Sequence, residues 1–220
     1  MILRYILYLI LLLIISIVGI VRYKSLTIPF KILTILIGAT FICEGIKKII
    51  GIIFHNSMPI EHLIAIIEFV SFSIIYYNLF NTTISKRIIV FFTAAFFIIW
   101  VIDLIFLEKI TEFPSITLNF SQFVYIVYSL LLFNKMLISQ SEESLLHQSI
   151  FWFNVNILFF SSSIFLIFGL TNLFRKHDYD ITILYTFEYV CNLLFYFLIG
   201  ISILIDRSLP VVNNPISNDY

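Results

Sequence analysis

"ILRYILYLILLLIISIVGIV", residues 2–21, is a run of twenty residues with a single charged side chain, that of Arg4. A helix needs about 20 mostly apolar residues to cross the hydrocarbon of a bilayer. Backbone polar groups have no water to bind there, so such a run is expected to form an α-helix. No small-residue cleavage site follows it, and Arg22 and Lys24 come next. The pattern therefore predicts a retained membrane helix and not a cleaved signal peptide.

The composition of the whole chain has the same character as this first run. Of 220 residues, 61% are hydrophobic and 12% are charged, whereas a soluble domain carries about 25% charged residues. There are too few charges to cover a water-facing surface, which indicates that lipid surrounds the protein. Basic and acidic residues balance at 13 each, so the charge gives no indication of a nucleic-acid partner.

Six further apolar stretches follow the first and are separated by short segments with charges or turn residues. Short connections make neighbouring helices antiparallel. The sequence therefore predicts an all-α fold, a polytopic membrane protein with seven transmembrane helices in an antiparallel bundle. One domain is expected over residues 1–207, followed by a short, polar, disordered tail over 208–220. The six further spans are expected at 27–47 (extendable toward 54), 60–80, 88–107, 116–138, 149–173 and 181–205.

The distribution of Lys and Arg between loops weakly favours one orientation. With the N-terminus outside, the inward segments hold seven of these residues and the outward segments hold six. Cytoplasmic loops usually carry the excess. We therefore expect an outside N-terminus and an inside C-terminus in a bacterial cytoplasmic (inner) membrane.

Ionisable residues inside the predicted spans fall in one half of the membrane. Glu44 and Asp103 come late in even-numbered helices, whereas Glu68 and Glu188 come early in odd-numbered ones. In an antiparallel bundle these positions belong to the same leaflet. Intramembrane ionisable residues are costly and usually functional. The sequence thus predicts a pocket for ligand binding or proton coupling, with the candidates Glu68, Glu188, Asn192, Glu44, His62, Asp103, Lys47 and Lys48.

Several of these candidates also fit a purely structural role. His62 fits a hydrated position at the membrane interface, beside Glu61, and Asp103 fits a helix end. Lys47 and Lys48 fit side chains that reach up to the lipid headgroups. Polar residues of the sixth span are expected to hydrogen-bond between helices; they are Asn154, Asn156, Ser161 and Ser162.

The sequence offers no signature of a catalytic or metal site. Its four histidines are dispersed without H-x-x-x-H spacing, and no G-x-S-x-G motif occurs. Cys43 and Cys191 lie within apolar runs, which is typical of packed, unreactive thiols. We therefore expect no enzyme activity, no metal and no cofactor.

Two segments resemble a known group of membrane proteins. Asn56, Pro59, His62 and the Glu68–Phe69 pair, followed by Phe151 and Trp152, are similar to positions in small seven-helix membrane proteins of Bacteroidota. Similar modules form the N-terminal membrane part of some sensor histidine kinases. The resemblance implies a sensor-like bundle, and without an attached output domain any signal would pass to a membrane or signalling protein partner.

Three functions remain open at this point. The first is a sensory or regulatory module whose polar pocket binds a small ligand, a lipid headgroup or a partner helix. The second is a proton- or ion-coupled small-molecule transporter that uses a buried Glu. The third is an intramembrane enzyme, which the missing motifs disfavour.

Overall fold

The computed structural model describes residues 2–138, 145–177 and 179–207. Over these residues the protein has seven long α-helices and no strand. The predicted tail 208–220 lies outside the described residues. The helices are α1 (Ile2–Arg22), α2 (Ile28–Phe54), α3 (Met58–Leu79), α4 (Thr83–Ile102), α5 (Ser115–Ile138), α6 (Ser149–Lys176) and α7 (Thr182–Ile205).

Six of these helices are long and apolar enough to cross a membrane. The all-helical, multi-pass character predicted from the sequence is therefore confirmed. The helix that is not among the six is α2, which carries four charged residues, Lys31, Glu44, Lys47 and Lys48.

The largest departure from the predicted boundaries is in α2. Lys47 and Lys48 lie well inside this helix, which continues to Phe54 and ends at His55, a residue with a φ of 56°. The two lysines do not end the helix because both line a cavity of the bundle, Lys47 near its mouth and Lys48 at its rim. The other helix ends lie within a few residues of the predicted ones, except that α4 begins at Thr83 and passes into a π-helical turn, Asp103–Leu107.

Six of the seven helices form a closed ring. In order around the ring they are α1, α2, α3, α5, α6 and α7, and α7 returns to α1. The remaining helix, α4, packs against α3 and α5 on the outside of the ring. Because α3 and α5 contact each other directly, they close the ring without α4.

The two ends of the bundle differ in how they are filled. At the end where α2 begins and α3 finishes, large aromatic side chains pack into a continuous core, and Tyr76, Tyr128, Phe30 and Phe153 are almost completely buried. At the other end the ring encloses a cavity. Aliphatic side chains cover the outside of the helices, as expected for a surface that faces lipid.

Gly19 marks the closest approach of α1 to α2. A methyl group at this position would lie 2.5 Å from Thr34 Cγ2, and Thr34 is held in place because its hydroxyl donates to Phe30 O at 2.8 Å. We expect Gly19→Ala to lower the midpoint of thermal unfolding in detergent, although alanine is intrinsically the better helix former by about 1 kcal/mol.

Gly38, which also lies in α2, is the matched control for this substitution. A methyl group there would have no atom within 4 Å, so Gly38→Ala should leave the midpoint unchanged or raise it. Adding Thr34→Ala should restore part of the loss in Gly19→Ala. Equal midpoints for the two glycine variants would contradict a tight contact at Gly19.

Candidate functional site

The cavity occupies the end of the bundle where α3 begins and α2 finishes. Its volume is about 810 Å³, which is within the range of pockets for small molecules. On α3 it extends from Glu61 to Phe72, which is about 16 Å along the helix axis. Because the hydrocarbon of a bilayer is about 30 Å thick, the cavity reaches about half-way through the bundle.

Each helix of the ring turns one face toward this cavity. On α3 the lining residues recur every three or four positions, as one helical face requires. The same spacing occurs on α7, and α4 contributes no lining residue among the described part of the chain. The residues on these two faces are Glu61, Ile64, Ala65, Glu68 and Phe72 on α3, and Tyr185, Glu188, Tyr189, Asn192, Phe195 and Tyr196 on α7.

The structure brings six of the eight predicted site residues together on the cavity wall. The late residues of α2 meet the early residues of α3 and α7, as the antiparallel arrangement of the helices requires. The six residues are Glu44, Lys47, Lys48, Glu68, Glu188 and Asn192.

Lys47 is the centre of an ion-pair group near the mouth of the cavity. Its ammonium lies 3.2 Å from Glu44 Oε1 on the same helix and also pairs with Glu61 on α3. The backbone carbonyl of Glu44 accepts a hydrogen bond from the Tyr5 hydroxyl at 2.8 Å. One lysine thus bridges two carboxylates and joins α2 to α3, while Tyr5 joins α1 to the same place.

The other two cations of the cavity lie at its rim. Lys48 and Arg4 are both exposed. The Lys48 ammonium lies 5.5 Å from the centre of the Tyr5 ring, and Arg4 donates a 3.3 Å hydrogen bond to Thr186 Oγ1. Both cations are therefore held at the entrance by α1 and α7.

Deeper in the cavity, polar groups lack protein partners. Within the described residues, no hydrogen bond or ion pair reaches the carboxylate of Glu68 or of Glu188. Asn192 donates to the backbone carbonyl of Glu188 at 3.1 Å and not to its side chain. Gln122 Oε1 and Ser161 Oγ are also buried on the cavity wall without a partner.

His62 and Asp103 lie outside the cavity. The Nε2 of His62 donates to Glu112 O at 3.2 Å, so this side chain faces the segment between α4 and α5. Asp103 Oδ2 accepts from Thr117 Oγ1 at 2.6 Å and from Thr117 N at 3.3 Å. Asp103 therefore caps the start of α5, where the backbone N–H groups lack partners within the helix.

Two of the four polar residues predicted to join helices do so. Asn154 accepts from the Tyr76 hydroxyl at 3.0 Å and donates to Ser129 O at 3.0 Å, which links α3, α5 and α6. Asn156 donates to Phe195 O at 2.8 Å and links α6 to α7. Ser161 instead lines the cavity, and no inter-helix bond from Ser162 is found in the described part of the chain.

Sequence reasoning missed the contribution of α1 and α5 to the cavity. Arg4, Tyr5 and Tyr8 lie on one face of α1, and Gln122 and Tyr125 lie on one face of α5. The sequence contains only a weak indication that these residues line a cavity. In α1 these are three of the five polar or aromatic side chains in an otherwise aliphatic helix, and they are spaced as one helical face requires.

Metal binding and similarity to known proteins give no further assignment. In residues 2–138, 145–177 and 179–207, no three His, Cys, Asp or Glu side chains are grouped so that they could hold a metal ion. No protein-family model, curated protein or solved structure matches the chain. The cavity itself is therefore the basis for a functional proposal.

Proposed function

We propose that this protein is a membrane-embedded sensory or regulatory module whose cavity binds a small molecule or a lipid headgroup. The observation that carries the proposal is the unpaired Glu68 carboxylate inside a cavity of about 810 Å³. A carboxylate at such a depth is costly unless a partner or water reaches it. A ligand that supplies the partner would stabilise one packing of the bundle over another.

The aromatic core at the opposite end of the bundle favours a binding module over a channel or transporter. At the inner end of the cavity, Phe72 packs against Tyr125 and Phe153, with ring centres 5.1 and 6.3 Å away. The Tyr76 ring lies 5.9 Å from that of Phe153. These aromatic side chains separate the cavity from the opposite face. The resemblance to membrane modules of sensor histidine kinases supports the same proposal, and the signal would then pass to a protein partner.

We also propose that α2 crosses the membrane as a seventh span, with the N-terminus outside in a bacterial cytoplasmic membrane. A helix of 27 residues is about 40 Å long, and three of its four charged residues line the cavity, away from lipid. A cysteine replacing Asn56 should react with an impermeant maleimide in intact cells. Reaction only after lysis would reverse the orientation, and the cavity would then open to the cytoplasm.

Filling the cavity tests the binding proposal. Asn192 lines the cavity, whereas Leu194, two residues later on α7, faces outward. We expect wild-type protein to retain a small molecule or a distinct lipid through purification, detected by mass spectrometry of an organic extract. Asn192→Trp should lose this molecule because the indole occupies its space.

Leu194→Trp is the matched control, since the same indole is placed on the lipid-facing side of the same helix. It should retain the bound molecule at the wild-type amount. Identical extracts from the wild type and both tryptophan variants would contradict binding in the cavity.

Proton-coupled transport is the second candidate, and it rests on the same Glu68. A carboxylate that alternates between protonated and paired states is a common device in transporters. Transport requires the aromatic end of the bundle to open in a second state. A proton or substrate flux in liposomes that disappears in Glu68→Gln would favour this candidate over a sensory module.

A further inference from the structure

The inner part of the cavity displays hydrogen-bond acceptors that the protein leaves unmet. Glu68 and Glu188 each present a carboxylate with no donor among the described residues. Gln122 Oε1 is a third unmet acceptor, on a side chain that is 7% exposed. A carboxylate accepts hydrogen bonds and donates none when it is ionised. A ligand that binds these acceptors must therefore supply donors.

The basic side chains of the cavity do not fill this role. Lys47 is engaged with Glu44 and Glu61, and Lys48 and Arg4 are held at the rim. Glu68 lies seven residues beyond Glu61 on α3, which is about 10 Å deeper. The basic residues that line the cavity are thus near its entrance, while the deeper carboxylates are without a counter-charge among the described residues.

Aromatic rings surround the same region. Tyr8 and Tyr196 meet edge to face with ring centres 5.5 Å apart, and Phe160 and Phe195 stack at 4.2 Å. All four residues line the cavity, as does Tyr125. Aromatic faces attract organic cations, most strongly where water is excluded. Such a wall suits the apolar part of a ligand as well as a positive charge.

We propose that the cavity binds a small organic cation, an ammonium group on an apolar body, with the ammonium toward Glu68 and Gln122. This inference rests on the proposed function, because it names the chemical class of the ligand for that same cavity. An anion of similar size would meet the unpaired carboxylates of Glu68 and Glu188. The ammonium could come from a free amine or from the headgroup of an aminolipid.

Three probes of nearly the same size and different charge test the proposal. Benzylammonium, benzyl alcohol and benzoate would each be titrated into the full chain in nanodiscs of phosphatidylglycerol while the midpoint of thermal unfolding is measured. We expect only benzylammonium to raise the midpoint. Glu68→Gln should weaken its apparent affinity at least tenfold.

Glu112→Gln is the matched control, because Glu112 is exposed in the segment between α4 and α5 and does not line the cavity. It should bind benzylammonium as the wild type does. Without any probe, Glu68→Gln should unfold at a higher temperature than the wild type, since it removes an unpaired charge from the cavity. A lower midpoint would show that Glu68 has a structural partner and would overturn the proposal.

The remaining outcomes separate this inference from the function on which it rests. Stabilisation by benzoate, benzyl alcohol, sodium or magnesium in place of benzylammonium would overturn the ligand class and leave a binding cavity. No response to any probe, together with identical extracts from the wild type and Asn192→Trp, would overturn both the ligand class and the proposed binding function. Unchanged benzylammonium binding in Glu68→Gln would also overturn the proposal.

A change of lipid identifies the source of the ammonium group. If phosphatidylethanolamine in the nanodiscs raises the midpoint and weakens the response to benzylammonium, the headgroup occupies the cavity. If phosphatidylethanolamine has no effect while benzylammonium still stabilises the protein, the ligand is a free amine.

Discussion

Lys47→Met is expected to lower the free energy of unfolding by about 2 kcal/mol, since breaking a partly buried ion pair leaves uncompensated charge in the cavity. Lys47 pairs with both Glu44 and Glu61, and Glu44 is only 9% exposed. The variant would leave these two carboxylates without a partner in the cavity that already holds Glu68 and Glu188. Chemical or thermal unfolding in detergent, followed by circular dichroism, measures the loss.

Lys48→Met is the matched control for this prediction. Lys48 is the next residue, but it is exposed, and its ammonium makes a cation–π contact with the Tyr5 ring. Such an exposed contact contributes about 0.5–1 kcal/mol. Replacing Glu44 and Glu61 with glutamine in the Lys47→Met background should restore most of the stability. The prediction is wrong if Lys48→Met is equally destabilising, or if the triple variant is no more stable than Lys47→Met.

The sequence was sufficient to predict the helices and to place Glu44, Glu68 and Glu188 at the same end of the bundle. Long apolar runs define helices, because an exposed backbone is not tolerated in lipid. The alternating direction of the helices then places the late residues of α2 beside the early residues of α3 and α7. Both arguments need only the positions of residues along the chain.

The partners of each side chain could not be predicted in the same way. Lipid is as apolar as a neighbouring helix, so an aliphatic face does not indicate whether it contacts lipid or protein. The sequence therefore does not indicate that α3 contacts α5 and leaves α4 outside the ring. Asp103 was expected in the cavity because its position late in α4 places it at the same end of the bundle. It faces α5 because α4 is not part of the ring.

Asp206 shows the same limit at the opposite end of the bundle. It follows α7 as an isolated acidic residue in "LIDRS", and nothing in these letters indicates its partners. In the structure its carboxylate accepts from Thr27 N and Ser149 Oγ, both at 2.8 Å, and from Thr27 Oγ1. Arg22 also donates to its backbone carbonyl at 2.8 Å. One residue thus joins the ends of α1 and α7 to the beginnings of α2 and α6.

Asp206→Ala is therefore expected to destabilise the protein by about 2–4 kcal/mol. The carboxylate is 3% exposed, and hydrogen bonds to a charged group are worth about 1.5–3 kcal/mol each, although bonds to one group are not additive. It also lies at the positive N-terminal ends of two helices, α2 and α6, where a negative charge is favourable. The free energy of unfolding in detergent is the quantity to measure.

Two further variants serve as controls for this prediction, Asp206→Asn and Asp180→Ala. The asparagine keeps an acceptor oxygen but loses the charge, so its stability should lie between those of the wild type and Asp206→Ala. Asp180 accepts a hydrogen bond from Thr182 N at 2.8 Å at the start of α7, but it is exposed. Its loss should therefore destabilise the protein much less than the loss of Asp206 does. If Asp180→Ala is as destabilising as Asp206→Ala, the junction of four helix ends does not stabilise the bundle beyond an ordinary helix cap.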